Sequence, residues 1–168
     1  MILTGPEIEQ QWQEGKLTID PFIPANIGPN SYDVTLGPVL KVCFKEPLDT
    51  RKPPIEYTHF VIPEAGFRLE PGYLYLAATE ETIGSDWFLP DISGKSTLGR
   101  FGLNVHHTAG WGDVGFHGTF TLELSCVQPV IIYSGMKIAQ VRFSEVKGQI
   151  VRYKGHYQNQ KGPRGPVV

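Results

Sequence analysis

Short segments in which apolar and polar residues alternate limit the folds open to this chain more than any other feature. Residues 32–36 (YDVTL) and 119–125 (TFTLELS) both follow a period of two, which places alternate side chains on opposite faces of a strand. Gly37 and Pro38 end the first segment, and the chain has 19 glycines and 14 prolines among its 168 residues. Short strands with frequent breakers predict a β-sandwich, jelly roll or barrel rather than a helical bundle.

A short helix is expected before the strands. Thr4 and Glu7 have the spacing of a capping box, and Pro6 stands in the first turn. Ile8 and Trp12 share one face, and Gly15 ends the helix. Further candidate strands are residues 73–78, 130–133 and 139–143.

Composition excludes several classes of protein. A length of 168 residues predicts one domain over residues 1–168, and the net charge of −2 argues against a nucleic-acid surface that works by neutralising phosphates. No apolar run is long enough for a membrane span. Cys43 and Cys126 are far apart with no ligand-like spacing, so neither a disulfide framework nor a zinc site is expected. A cytoplasmic protein without a signal peptide is the expectation.

The C-terminal segment differs from the rest of the chain. Residues 146–168 contain no Asp or Glu, several Lys and Arg, and many Gly and Pro. Such a segment could be a mobile basic lid that orders over a polyanionic ligand. The alternative is a frayed terminus that only aids solubility.

Residues 93–100 (SGKSTLGR) concentrate groups that bind phosphate: backbone N–H near glycine, hydroxyls, an ammonium and a guanidinium. They are not a Walker loop, because Leu89 stands where that pattern requires glycine. The alternative is a glycine-bearing turn with ordinary surface cations.

Two carboxylates are candidates for catalysis. The period of two places Glu123 on the face of its strand opposite Phe120, Leu122 and Leu124. If a neighbouring subunit or loop covers that face, desolvation favours general acid–base work by such a carboxylate; otherwise it is an ordinary exposed strand residue. Asp113 lies in the glycine-rich stretch 108–118, where it could accept a sugar hydroxyl, position a water or simply satisfy its own turn.

These segments together resemble the dCTP deaminase family of the dUTPase-like superfamily. The central blocks that carry the resemblance are residues 94–103 (GKSTLGRFGL), 108–118 (TAGWGDVGFHG) and 121–123 (TLE). The resemblance extends to residues 19–22, 30–37, 71–72, 135–140 and 157–163, and so covers nearly the whole chain.

The resemblance implies a distorted jelly roll or β-barrel with a short N-terminal helix, assembled as a homotrimer with active sites between subunits. It implies deamination of dCTP at cytosine C4 without zinc, whereas the zinc nucleobase deaminases carry a motif that is absent here. Glu123 would be the general acid and base, Ser96 and Arg100 would position water, base and phosphate, and Asp113 would accept the 3′-hydroxyl.

The same resemblance implies a set of nucleotide contacts. They are Lys95, Ser96, Thr97, Leu98, Gly99, Trp111, Thr121, Leu122, Gln140, Tyr153, His156 and Gln160. Mg²⁺ would be bound mainly by the triphosphate rather than by protein ligands. The basic segment 146–168 would then be a lid over the nucleotide.

Two activity types occur in the family, and the stretch 109–113 (AGWGD) favours the bifunctional type, which also cleaves the triphosphate and yields dUMP, ammonia and pyrophosphate. The alternatives are a deaminase that stops at dUTP, a dUTPase-like enzyme without deamination, and a non-catalytic trimer that binds dCTP or dTTP. dTTP is also a candidate inhibitor. Gly112 replaces a usual Ile, which predicts a looser loop, and His156 replaces an expected lysine, for which Lys154 is the candidate substitute.

Overall fold

The N-terminal helix α1 (Gly5–Gln13) is present in a computed structural model that describes residues 1–44, 46–52 and 56–167. Thr4 is the N-cap residue, but its hydroxyl makes no capping hydrogen bond. The Glu7 carboxylate instead accepts a hydrogen bond of 2.7 Å from Gln11 Nε2. The predicted helix is therefore confirmed, whereas the predicted capping box does not form.

Strands make up most of the regular secondary structure of the described chain. In chain order these are β1 (Thr18–Asp20), β2 (Tyr32–Thr35), β3 (Val39–Val42), β4 (Thr58–Val61), β5 (Phe67–Leu69), β6 (Tyr75–Gly84), β7 (Phe88–Gly94), β8 (Leu103–Asn104), β9 (His117–Cys126), β10 (Val130–Ile132) and β11 (Lys137–Glu145). A 3₁₀ turn (Pro24–Asn26) and a short helix α2 (Ser96–Arg100) complete the elements.

The strands pair antiparallel throughout and form three sheets. The largest has the order β4–β3–β6–β9–β8, with β1 added on β6, while β2–β11–β7 and β10–β5 form smaller sheets. The mostly β fold with a short helix matches the sequence prediction. The strands of the described residues do not close into a barrel, so the barrel alternative is not supported.

The inner face of β9 is predicted correctly for Leu122 and Leu124, which are buried in the core. Phe120 does not follow this alternation, because the register between β6 and β9 shifts at this point, where residues 79–81 of β6 lie opposite Phe120. Such a bulge re-aims the side chains beside it. Phe120 consequently faces a cavity rather than the centre of the core.

The bulge also places a carboxyl group inside the protein. Glu81 is wholly buried. Its Oε1 and Oε2 accept hydrogen bonds from the Thr35 backbone N at 3.1 and 2.9 Å, and Oε1 accepts one from Thr35 Oγ1 at 2.9 Å. Desolvation raises the pKa of the Glu81 carboxyl above its usual value, although the Thr35 donors act in the opposite direction. Glu81 thereby joins the large sheet to the three-stranded sheet.

Two further expectations need correction. The segment for which a glycine-bearing turn was the alternative contains the helix α2, which follows β7 after Lys95 alone. The alternation at 73–78 does not separate a buried face from an exposed one, because Tyr75 and Ala77 lie in the core while Leu76 is buried against the cavity. Neither helix of the described chain is long and apolar enough to span a bilayer.

Candidate active site

A cavity of about 600 Å³ lies beside the outer face of β9. Its volume is in the range typical of small-molecule sites. The walls come from β9, from the loop at 109–113, from the β3–β4 connection at 48–52 and from the C-terminal segment. Six of the residues predicted to form the site line this cavity: Trp111, Asp113, Thr121, Glu123, Tyr153 and Gln160.

Glu123 projects from the middle of β9 and is half-buried. Its Oε2 accepts a hydrogen bond of 2.8 Å from the backbone N of His107. The His107 ring in turn makes a contact of 3.0 Å between Nε2 and Ser125 Oγ, on the same face of the strand. The carboxylate is therefore oriented through one oxygen, while its Oε1 makes no hydrogen bond to the described residues and is free to accept a proton.

The glycine-rich loop is fixed against the edge of β7. Gly110 O accepts a hydrogen bond of 2.5 Å from Ile92 N, and Gly112 N donates one of 2.7 Å to Pro90 O. A Cβ at Gly112 would stand 2.7 Å from Cζ of Phe120. The loop is therefore tightly packed at Gly112, and whether it is looser than a loop with Ile at this position stays a prediction. It presents Trp111, 64% exposed, and Asp113 to the cavity.

The C-terminal segment is packed on β9. Asn159 N donates to His117 O at 2.8 Å, and Thr119 N donates to Gln160 O at 3.0 Å. Gln160 Nε2 reaches Thr121 Oγ1 at 3.2 Å. Gln160 is only 8% exposed, and its Oε1 has no partner among the described residues. The residues of this segment that line the cavity are Tyr153, Tyr157, Gln160, Arg164, Gly165 and Pro166, whereas Val168 lies outside the described residues.

A second group of predicted residues lies on the three-stranded sheet, outside the cavity. The Lys95 ammonium binds the Asp33 carboxylate, which also pairs with Lys137 Nζ at 3.4 Å. Gln140, opposite Asp33 in the sheet, donates from Nε2 to Gly94 O at 3.3 Å. Two predicted phosphate ligands, Lys95 and Gln140, are therefore close to each other but are not part of the Glu123 cavity.

The remaining predicted residues do not line that cavity either. Arg100 folds back on α2, donating from Nη1 to Ser96 O at 3.0 Å. The Leu122 side chain is in the core, so only its backbone could reach a nucleotide. His156 is exposed. Those that do not line the cavity are Lys95, Ser96, Thr97, Leu98, Gly99, Arg100, Leu122, Gln140 and His156.

Several cavity residues carried no signal in the sequence. Leu48, Asp49 and Lys52 come from a connection without periodicity, and Arg164 comes from the tail, where it was one cation among several. His107 has no catalytic signature in the sequence, yet its backbone N–H orients Glu123. Within the described ranges, no set of three or more His, Cys, Asp or Glu residues is arranged to hold a metal ion.

A family model described as dCTP deaminase-like matches residues 2–146. The chain belongs to the dCTP deaminase-like family. The match spans β1 to β11 and contains both groups of predicted residues except those of the C-terminal segment.

Curated relatives agree over nearly the full length. Proteins named dCTP deaminase, dUMP-forming, from Clostridium acetobutylicum, Leptospira biflexa and Cytophaga hutchinsonii are 44%, 43% and 42% identical to this chain over 163 residues. Each alignment covers 96% of this chain and 93%, 92% and 93% of the respective relative. The resemblance inferred from the central blocks is thus confirmed at the level of the family.

The fold also matches a solved structure. The 2′-deoxycytidine 5′-triphosphate deaminase from Agrobacterium tumefaciens superimposes with a TM-score of 0.66 at 20% identity, covering 84% of this chain. This chain spans 47% of the length of that protein. At this level of identity the match establishes a shared fold.

Proposed function

We propose that this protein deaminates dCTP at cytosine C4 and cleaves the triphosphate between its α- and β-phosphates. One dCTP and two waters would give dUMP, ammonia and pyrophosphate. The observation that carries the proposal is the oriented Glu123 carboxylate on the wall of a cavity that also contains Asp113, Trp111 and Gln160. The names of the relatives support dUMP as the product.

Glu123 is assigned the proton transfers. Its carboxylate takes a proton from a water as the water oxygen attacks C4 and delivers that proton to N3. It then takes the proton of the new C4 hydroxyl and delivers it to the amino group, so that the C4–N bond breaks, ammonia leaves and the C4 carbonyl forms. Proton transfer in both directions requires a carboxylate with an accessible oxygen and a fixed orientation, and the His107 N–H leaves Oε1 available for this exchange. Trp111 supplies an exposed aromatic face suited to a pyrimidine ring, and Gln160 lines the same cavity.

The second group of residues is assigned to an adjacent subunit. Lys95, Ser96 and Arg100 offer an ammonium, a hydroxyl and a guanidinium, yet they do not line the Glu123 cavity of their own chain. We therefore propose a homotrimer in which these groups reach the nucleotide in the cavity of a neighbour. Exposed Phe101 and Val127, close to α2, are apolar surface that such an assembly would cover.

Mg²⁺ is proposed as the counter-ion of the triphosphate. Phosphate oxygens and water suit this small, hard cation, which seldom needs a cage made only of protein ligands. When bound, it would neutralise phosphate charge. The Asp49 and Asp113 carboxylates of the cavity are of the chemical type that its hydration shell can contact.

One assay tests the proposal and separates its alternatives. The protein is incubated with dCTP and Mg²⁺, and dUTP, dUMP, dCMP, ammonia and pyrophosphate are quantified over time. Equal release of dUMP, ammonia and pyrophosphate is expected. Accumulation of dUTP would indicate a deaminase alone, and dCMP with pyrophosphate would indicate triphosphate cleavage without deamination. Binding of dCTP or dTTP with no product would overturn the enzymatic proposal. Parallel reactions with dUTP, and with dTTP added, measure diphosphatase activity and inhibition.

A further inference from the structure

The two cations that line the cavity differ in whether a carboxylate pairs with them. Asp49, Asp113 and Glu123 bring carboxylates to its walls, and Lys52 and Arg164 bring cations. The Lys52 ammonium is already paired with Asp49, at 3.4 Å between Nζ and Oδ2. Among the described residues, no carboxylate pairs with Arg164. Arg164 is therefore the cavity cation that is available to an anionic ligand.

The surroundings of Arg164 hold its guanidinium at the cavity through a single hydrogen bond and one aromatic contact. Nη1 donates to His156 O at 2.8 Å, and the guanidinium carbon lies 5.8 Å from the centre of the Tyr157 ring. The remaining N–H groups make no hydrogen bond to the described residues. An aromatic face under a guanidinium favours this orientation, and the planar fork that is left matches two phosphate oxygens.

The backbone of Arg164 ties this cation to the strand that carries the general base. Arg164 N donates to Thr121 Oγ1 at 3.1 Å, and Thr121 lies two residues before Glu123 on β9. Because this contact uses the main chain, the side chain can be replaced without removing it. The position of residue 164 at the cavity and the chemistry of its side chain can thus be tested separately.

We propose that Arg164 binds the phosphate chain of the pyrimidine nucleoside triphosphate in this cavity. The inference rests on the proposed function and adds a residue that selects triphosphate over monophosphate. It also replaces Lys154 as the candidate substitute for the tail lysine missing at position 156: Lys154 does not line the cavity, whereas the guanidinium of Arg164 is bound to the His156 carbonyl.

The test measures binding by calorimetry in a Glu123→Gln background, which blocks deamination. The ligands are dCMP and α,β-imido-dCTP, whose bridge resists cleavage. Arg164→Gln is compared with Lys161→Gln, which removes the same charge from the same tail at an exposed residue that does not line the cavity. Arg164→Lys tests the need for the planar fork.

Arg164→Gln is expected to weaken α,β-imido-dCTP binding tenfold or more and dCMP binding less than twofold. Arg164→Lys should recover only part of the loss, and Lys161→Gln should stay within twofold of the parent. If Arg164→Gln weakened the binding of dCMP and α,β-imido-dCTP equally, Arg164 would only hold the C-terminal segment in place. If Lys161→Gln and Arg164→Gln weakened binding equally, the effect would be one of overall charge. Either result overturns the inference. If the parent binds neither ligand and the wild-type protein does not convert dCTP, the proposed function itself fails. Melting temperatures of all variants check that each is folded.

Discussion

At the scale of single residues, the sequence predicts the direction in which Glu123 points but not the hydrogen bond that orients its carboxylate. The period of two in β9 identifies Glu123 as an outward-facing residue between core leucines, and the structure agrees. The His107 N–H that orients it comes from a loop with no periodic pattern. Likewise Arg164 looked like any other basic residue of the tail, because its value depends on packing between distant segments.

Replacement of Glu123 by Gln should remove the proton acceptor while keeping the volume of the side chain. General acid–base groups typically contribute about 10²- to 10⁴-fold in rate, so ammonia release from dCTP should fall by at least about a hundredfold. Glu80→Gln, an exposed residue that does not line the cavity, is the matched control and should retain full activity. Full turnover by the Glu123 variant would contradict the assigned role.

Gly112 has a packing reason to be glycine. An added Cβ would meet the Phe120 ring at 2.7 Å and Pro90 Cγ at 3.2 Å, and overpacking of this kind costs about 1–3 kcal/mol. Gly112→Ala should therefore lower the free energy of unfolding by about that amount in urea titrations. Gly99→Ala is the control: no atom lies within 4 Å of its added Cβ and the site is helical, so it should be neutral or slightly stabilising. Equal stability of the two variants would argue against tight packing at 112.

At the scale of elements, alternation predicted the positions of five of the eleven described strands, β2, β6, β9, β10 and β11, but not where their phase changes. The segments around 32–36, 119–125, 130–133 and 139–143 all lie largely in strands. The bulge at 79–81 could not be predicted, because it depends on the pairing of β6 with β9 and on the burial of Glu81. The short helix α2 was missed because its five residues contain glycine and no apolar periodicity.

The burial of the Glu81 carboxyl makes stability depend on pH, because desolvation raises its pKa. Since the folded protein raises the pKa of Glu81, it holds that proton more tightly than the unfolded chain does. The contribution of this group to stability is greatest below the usual pKa of a glutamate and is lost as the pH rises through the raised value. The hydrogen bonds from Thr35 stabilise the ionised carboxylate of Glu81 more than the protonated carboxyl.

Thr35→Val removes the hydroxyl donor and should destabilise the protein by about 1–3 kcal/mol at pH 8. The loss should be smaller at pH 5, where more of Glu81 carries a proton. Chemical denaturation at both pH values measures the difference, with Thr58→Val on the exposed β4 as control. A loss that is independent of pH would show that the hydroxyl does not support the ionised carboxylate.

At the scale of the whole molecule, the single chain separates the residues expected to act together. The cavity contains Glu123 and Asp113, whereas Lys95 and Arg100 lie elsewhere on the surface. Only the family resemblance, and no pattern within the sequence, indicated that a neighbouring subunit would unite them. An assembly of this kind cannot be derived from periodicity, because strand patterns report burial within one chain.

Mixing inactive subunits tests the intersubunit site directly. Glu123→Gln and Arg100→Ala chains are each expected to be nearly inactive alone. After co-refolding in equal amounts, some interfaces would pair an intact Glu123 with an intact Arg100, and dCTP turnover should return to a measurable fraction of the wild-type rate. If both residues act within one chain, mixing restores nothing. Light scattering of the same samples would establish the number of subunits.

Thr121 connects the C-terminal segment to β9, the strand that carries Glu123, through one hydroxyl, which accepts hydrogen bonds from both Gln160 Nε2 and Arg164 N. An exchange of C-terminal segments between relatives should therefore give a stable protein only if the residue at position 121 is exchanged with the segment. If the C-terminal segment of a relative replaced this one, it would need a hydrogen-bond donor for the Thr121 hydroxyl. If this segment were joined to a relative with valine at position 121, Gln160 Nε2 and Arg164 N would lose this acceptor. The residues around 160–164 and the middle of β9 therefore have to be exchanged together, although about forty positions separate them in the sequence.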